Sequence, residues 1–344
     1  MMTAKELFDS ELPVIQAPMA GVQGSELALA VAAGGGLGSL PCAMLSAEQI
    51  EAELRLMACA TDAAINLNFF CHEPLPYNVE QEARWLSALS PHMRNHQIDP
   101  QEISSGAARN PFSHDIADTL EPFKPRVISF HFGLPANDLL ERVKSWGAKI
   151  LSSATTVEEA KWLESRGVDA VIAQGLEAGG HRGIFLSDDL TTQLGTFALL
   201  PQIVQTVKIP VIAAGGVSTA AAVQAAVALG AAAVQCGTAF LLCDECKTSS
   251  IHRAALKSER ARHTALTNVF SGRPARSIVN RAVSELGPIS PDAMDFPHSA
   301  TAITAIRQRA EANGIGDYSP LWCGQNADGC AEVPAAEMLQ KLVS

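Results

Sequence analysis

The stretch Asp169-Ala-Val-Ile-Ala-Gln-Gly-Leu-Glu-Ala-Gly-Gly-His-Arg-Gly183 opens as a short apolar run and closes on glycines that flank a histidine. Two later stretches repeat the design: Val211-Ile-Ala-Ala-Gly-Gly-Val-Ser218 and Ala232-Ala-Val-Gln-Cys-Gly-Thr238. In each, residues suited to a strand buried on both faces lead into glycine. Without a Cβ, the backbone N–H groups there can approach an anion closely. Strand–glycine–helix units repeated late in a chain predict a (β/α)8 barrel whose last loops grip a phosphate. His181 then stands on the rim where the catalytic residues of such barrels collect.

Working outward, apolar runs alternate with helix-period stretches, the pattern of parallel βα units. The strand candidates are Val14–Ala17, Leu37–Leu40, Ala64–Asn68, Val127–Phe130, Ile150–Ser153, Ala170–Ala173, Val211–Ala213 and Ala233–Gln235. Helices are expected at Ser25–Ala33, Ala47–Met57, Val79–Leu89, Ala136–Ser145, Val157–Arg166, Thr196–Gln205 and Thr219–Leu229, with a last one near Ala335–Leu342. Periodicity alone does not separate this from an open doubly wound sheet; a count of eight strands favours closure. Two regions break the rhythm. His92 to Pro125 is polar and proline-rich and reads as a long excursion between the third and fourth strands. From Lys247 to about Asn313 no strand is expected, and Ala, Arg and Glu recur at helical spacing. The predicted class is therefore α/β: a barrel built from residues 1–245 and 315–344, with a smaller, mainly helical subdomain, 246–314, inserted after the last barrel strand and covering the mouth.

Composition narrows the partners. The chain has 344 residues, 47% of them apolar, enough for a large core. Its formal net charge of −11 argues against nucleic acid or an anionic membrane. Any anionic ligand must be held by local donors rather than by the global field. No apolar stretch is long enough to span a membrane without interruption, and the start Met1-Met-Thr-Ala-Lys-Glu does not read as a signal peptide. A cytoplasmic location is expected. The eight cysteines show no secreted framework. Cys243-Asp-Glu-Cys246 has metal-ligand spacing but no second matching pair, so no metal is predicted.

Gly215-Gly216 follows a strand and precedes a helix opened by Ser218-Thr219, while Gly237-Thr238 ends the next strand. Free N–H groups and a helix dipole there suit a phosphate. At this point the chain resembles a known family. Pro13-Val-Ile-Gln-Ala-Pro-Met-Ala-Gly21, Ile65-Asn-Leu-Asn-Phe69, Gln174-Gly-Leu-Glu-Ala-Gly-Gly-His-Arg-Gly183, Ala213-Ala-Gly-Gly216, Gln235-Cys-Gly-Thr-Ala-Phe240 and Ser319-Pro-Leu-Trp-Cys-Gly-Gln325 look like the nitronate monooxygenases, formerly 2-nitropropane dioxygenases. The matches run in order through nearly the whole chain. The resemblance implies a TIM barrel with non-covalently bound FMN. It implies that Ala17, Pro18 and Met19 line the flavin ring, that Asn68 and Gln174 offer it amide contacts, and that Gly179 and Gly180 pass close to its ribityl-phosphate arm. Gly215, Gly216, Gln235, Gly237 and Thr238 become the phosphate cup, and His181 the catalytic residue.

Histidine titrates near neutrality, so it can take a proton from an acidic carbon or hold one against developing negative charge. His131, in Ser129-Phe-His-Phe-Gly133, either lines the substrate pocket, as the resemblance suggests, or packs between Phe130 and Phe132. The implied reaction takes an alkyl nitronate or nitroalkane and O2 to a carbonyl compound and nitrite. Propionate 3-nitronate is the substrate class suggested, its carboxylate met by Arg182 or a residue of 273–281; a homodimer is compatible. One departure stands out: such relatives carry several tyrosines around the pocket, whereas this chain has only Tyr77 and Tyr318, with Asp295-Phe-Pro-His298 in the region expected to supply them. The alternative on the same fold is an FMN-dependent NAD(P)H:quinone or enoyl-thioester reductase.

Overall fold

Eight short parallel strands form the spine of the chain. The computed structural model describes residues 3–103 and 109–344; Met1, Met2 and residues 104–108, the last within the proline-rich excursion, lie outside it. In chain order the strands are β1 Val14–Gln16, β2 Gly38–Pro41, β3 Ile65–Phe70, β4 Val127–His131, β5 Lys149–Ala154, β6 Ala170–Gln174, β7 Gly180–His181, β8 Val211–Ala214, β9 Ala233–Cys236, β10 Thr264–Thr267 and β11 Ala275–Ile278. The large sheet runs β1-β9-β8-β6-β5-β4-β3-β2, all parallel. The bridge between Ile15 and Leu37 joins β1 to β2 and closes the ring. Gln16 N donates to Leu37 O at 2.9 Å and Leu37 N to Val14 O at 3.0 Å. This is the (β/α)8 barrel expected from the sequence.

Apolar side chains fill the barrel as they must in a closed parallel sheet. Ile15, Leu37, Val127, Leu151, Ile172 and Ile212 pack into one buried cluster. Leu7 and Phe8 of the helix Ala4–Phe8 join it beside residues at the strand starts, so this helix plugs the N-terminal end of the barrel. Each such side chain contributes about 1.5–3 kcal/mol on burial. Gly38 is required where helix Ser25–Ala33 rests on β2, since a Cβ there would lie 2.1 Å from Ala28 O. Thr156 and Thr219 cap the helices that follow them, accepting from Glu159 N and Ala222 N. The last helix, Ala335–Val343, packs between Ser25–Ala33 and Ala220–Ala228 and completes the outer wall.

Two expectations need correction. The helix expected at Val79–Leu89 exists, as Val79–Asn95, but it does not occupy the wall after β3. Its Trp85, Leu89 and Met93 bury against Val269, Phe270, Ile303 and Ile306, in the layer over the mouth. The wall position between Ala47–Ala60 and Asn137–Ser145 is held by His114–Leu120, capped by Ser113 and lying inside the stretch read as an excursion. The region from Lys247 to Asn313 does contain strands. β10 and β11 pair antiparallel, and β11 also pairs with β7. Helices Ser250–Leu256, Arg281–Leu286 and Ala300–Glu311 surround this small sheet in sequence.

Candidate active site

A cavity of about 330 Å³ opens at the C-terminal ends of the barrel strands. Every site residue expected from the sequence lines it. Ala17, Pro18 and Met19 enter after β1, Asn68 from β3, and His131 from β4. Gln174 ends β6, Gly179 lies in the loop beyond it, and Gly180 and His181 form β7. Gly215 and Gly216 follow β8; Gln235 lies within β9, and Gly237 and Thr238 follow that strand.

The glycine end is built from backbone. Gly215 and Gly216 have φ of 115° and 73°, the left-handed region open to glycine. Among the described residues, the N–H groups of Gly216, Gly237 and Thr238 find no acceptor within the protein. Gln235 Oε1 is buried there without a partner. The segment 323–326 crosses the same end: Gly324 N donates to Thr238 Oγ1 at 2.9 Å and Asn326 Nδ2 to Gly216 O at 3.1 Å. It passes so near that a Cβ on Gly179 would lie 2.6 Å from Gly324 N. Convergent unpaired amides of this kind hold anions.

The histidine end is built from long-range pairing. His181 is a strand residue rather than part of a free loop, because β7 pairs with β11 and aligns His181 with Ala275. The His181 carbonyl accepts from Gln174 Nε2 at 2.9 Å, and Gln174 Oε1 accepts from Gly183 N at 2.8 Å. Gln174 therefore faces the cavity with its amide largely committed to clamping this segment. His131 is committed too. Its Nδ1 lies 2.9 Å from Ser153 Oγ and its Nε2 3.2 Å from His181 O. A carbonyl can only accept, so Nε2 carries the proton and Nδ1 takes one from the serine. His131 positions the main chain of His181 and has no nitrogen left to act as a base. Asn68 donates to Ser129 Oγ at 2.9 Å through Nδ2, leaving Oδ1 as its open group.

Around the His181 ring stand Trp322, Phe296, Phe132 and Phe70, with centroids 5.5, 5.6, 6.0 and 6.2 Å away. Phe296 belongs to the Asp295–His298 stretch, so a phenyl ring occupies the wall there. Tyr318 lines the cavity, and its hydroxyl lies 2.9 Å from His92 Nδ1. Tyr77 lies elsewhere, exposed against His298. His181 Nε2 is 2.9 Å from Ser271 Oγ. The hydroxyl can serve as donor or acceptor, so the imidazole can present either a lone pair or an N–H from Nδ1.

The cations named from the sequence do not face this space. Arg182 is 1% exposed and donates to Gln174 O, Gly175 O and Gln193 Oε1. Arg276 bonds Leu176 O, and Arg273 lies over the Phe132 ring. The arginines lining the cavity are Arg109, from the proline-rich stretch, and Arg307, from the helix Ala300–Glu311. Neither carries a local motif that marks it in the sequence.

The nitronate monooxygenase family model matches residues 2–344. The chain belongs to that family. It is 42% identical over 342 residues to the nitronate monooxygenase of Paraburkholderia phytofirmans, covering 98% of this chain and 92% of that one. The nitronate monooxygenase of Pseudomonas aeruginosa is 40% identical over 343 residues, covering 98% and 97%. Among solved structures, a nitroalkane oxidase from Streptomyces ansochromogenes superposes with a TM-score of 0.89 at 36% identity, covering 98% of this chain and 96% of that one. FabK from Thermotoga maritima shares the fold at a TM-score of 0.75 and 24% identity. This nitronate monooxygenase family member is thus an oxidoreductase built on a (β/α)8 barrel. Among its described residues no helix is long and apolar enough to cross a membrane, and no cluster of His, Cys, Asp or Glu is arranged to hold a metal ion. Cys243 packs in the core, and Cys246 Sγ donates to Val22 O.

Its buried histidines are held neutral. Burial, then Arg109, His131, Arg273 and His72, put His181 well below the usual imidazole value. Burial pushes His131 to about 4, against the opposing bond to His181 O. Burial, then Arg273 and Arg109, take His72 to about 4, and burial and Arg307 do the same to His252. Unfolding frees these groups to take up protons near 6.5. A folded value below the unfolded one means stability that is complete above pH 6.5 and is lost as pH falls toward 4. The urea midpoint is expected to hold steady from about pH 8 to 7 and to fall from about pH 6.5 to 5, above the carboxylate range. A midpoint unchanged across that lower interval would contradict buried neutral histidines.

Proposed function

We propose that this enzyme oxidises alkyl nitronates with O2 and bound FMN, releasing a carbonyl compound and nitrite, with propionate 3-nitronate as a representative substrate. The observation that carries the reading is the gathering of the glycine end and His181 in one cavity at the barrel mouth. The residues present suit a flavin mononucleotide. Gly216, Gly237 and Thr238 offer amides to its phosphate, Gln235 an unpartnered buried side chain, and Ala17–Met19 a close backbone wall. The Oδ1 of Asn68 is the acceptor left for a ring N–H. FMN, when bound, supplies the electron acceptor and the route to dioxygen.

The rest of the work falls to this chain. Held neutral, His181 can take a proton from the carbon of a nitroalkane, or donate N–H to the oxygens of a nitronate that arrives ionised. Ser271 fixes the ring through Nε2, and His131 and Gln174 fix the main chain behind it. Phe70, Phe132, Phe296 and Trp322 form an apolar wall that strengthens each polar contact inside it.

The test is an absorbance spectrum of the purified protein followed by aerobic nitrite release from nitronates. Flavin bands and nitrite are expected. Prompt anaerobic bleaching by NADH or NADPH would instead reject this reading in favour of a reductase.

A further inference from the structure

Two guanidiniums lie behind the cavity wall, Arg182 at 1% exposure and Arg276 at 5%. Among the described residues, every hydrogen bond they make ends on a neutral acceptor. Arg182 donates to Gln174 O at 2.7 Å, to Gly175 O at 2.6 Å, and to Gln193 Oε1 through Nε at 3.1 Å and Nη2 at 3.0 Å. Arg276 donates to Leu176 O at 2.9 Å and to Thr264, at 3.1 Å to Oγ1 and 3.5 Å to O. Three consecutive carbonyls at the end of β6 are therefore held from behind by two cations. The front of the same segment faces the cavity through Gln174, Gly179, Gly180 and His181.

The carboxylates whose charge reaches these arginines are engaged elsewhere. Glu159 accepts from Thr155, Phe185 and Leu186, and Glu177 accepts from Thr196. A charge taken out of water is ordinarily paired, because neutral acceptors repay only part of the lost hydration. Burial, then Arg276, bring Arg182 down to about 10, so it stays charged at neutral pH. Hydrogen bonding alone does not call for a cation here, since a neutral amide also donates to carbonyls. What a guanidinium adds is positive potential behind the Gln174–Leu176 main chain, inside a protein of net charge −11. In a dry interior that potential acts strongly on any negative charge gathering in the cavity.

We infer that Arg182 and Arg276 form a buried cationic backing that makes the bound flavin easier to reduce, by stabilising its electron-rich form. Neither side chain lines the cavity, so both act through the main chain they hold, as positioning residues. Neither is among the charges acting on His181, which leaves the imidazole to titrate independently of them. The inference rests on the FMN of the reading above and holds whichever substrate delivers the electrons.

The experiment measures the flavin reduction potential by anaerobic equilibration with a reference dye, in the wild type and in Arg182→Gln, Arg276→Gln and Arg182→Lys, with FMN in excess. At a fixed potential, each Gln variant is expected to lower the ratio of reduced to oxidised flavin about tenfold, the order of one unit charge acting through protein. For a two-electron couple that is ~30 mV. Arg182→Lys keeps the charge and loses the fork, and should stay within about threefold of the wild type. A Gln variant that does not shift removes that arginine from the backing, and two that do not shift overturn it. Arg182→Lys falling as far as Arg182→Gln overturns it as well, because the fork rather than the charge would then matter. Should Arg182→Gln not fold, Arg276→Gln carries the decision alone. A wild type that takes up no FMN sinks the flavin reading and this inference with it; a yellow wild type with unshifted variants sinks the inference alone.

Discussion

Replacing His181 by Asn is expected to leave flavin bound and to lower turnover of a neutral nitroalkane by roughly 10²–10⁴-fold, the span of a lost general base. The fold should tolerate the change, because His181 is held in β7 by its backbone, paired to Ala275 and clamped by Gln174 and His131 at the carbonyl. Asn can still donate a hydrogen bond but cannot accept a proton from carbon. Loss on a pre-formed nitronate should be smaller, since its proton is already gone. The two substrates therefore separate the base from the hydrogen-bond donor. Nitrite release from both, with the visible spectrum as the control, makes the measurement. Unchanged turnover on both would remove the role assigned to the imidazole.

Gly216→Asp should yield a folded protein that has lost its flavin. A Cβ at Gly216 would meet Glu177 Cβ at 3.5 Å, ordinary contact, so space is not the obstacle. The φ of 73° is one that Asp and Asn tolerate better than other residues. Charge is the obstacle: a carboxylate would stand among the amides proposed to hold the phosphate, and juxtaposed like charges cost several kcal/mol. Flavin affinity is expected to fall by roughly 10²–10³-fold or more. Gly216→Asn, nearly the same shape without the charge, should keep most of the flavin. Full retention in the Asp variant would contradict the phosphate cup.

The eight barrel strands were legible because burial on both faces leaves short, largely apolar runs, continuous and ended by glycine in Val211-Ile-Ala-Ala214. The helix Val79–Asn95 was legible as a helix but not as to place. Its apolar stripe, led by Trp85 and Leu89, looks the same whether it faces a barrel or residues far along the chain such as Val269 and Ile303. His114–Leu120 spans seven residues, too few to show a period, and β10 and β11 span four each. The glycines and His181 were readable because they belong to one local run. Ser271, Phe296, Arg109 and Arg307 were not, because each reaches the cavity through tertiary contacts that leave no trace in the neighbouring sequence.

The β7–β11 ladder carries one more consequence. His181 is stitched at its main chain to Ala275 and at its ring to Ser271, both on the stretch that arches across the barrel opening. The ring's place is therefore set from a distant part of the chain, so a substitution at Ser271 or along β11 is expected to shift the imidazole without altering the residue itself.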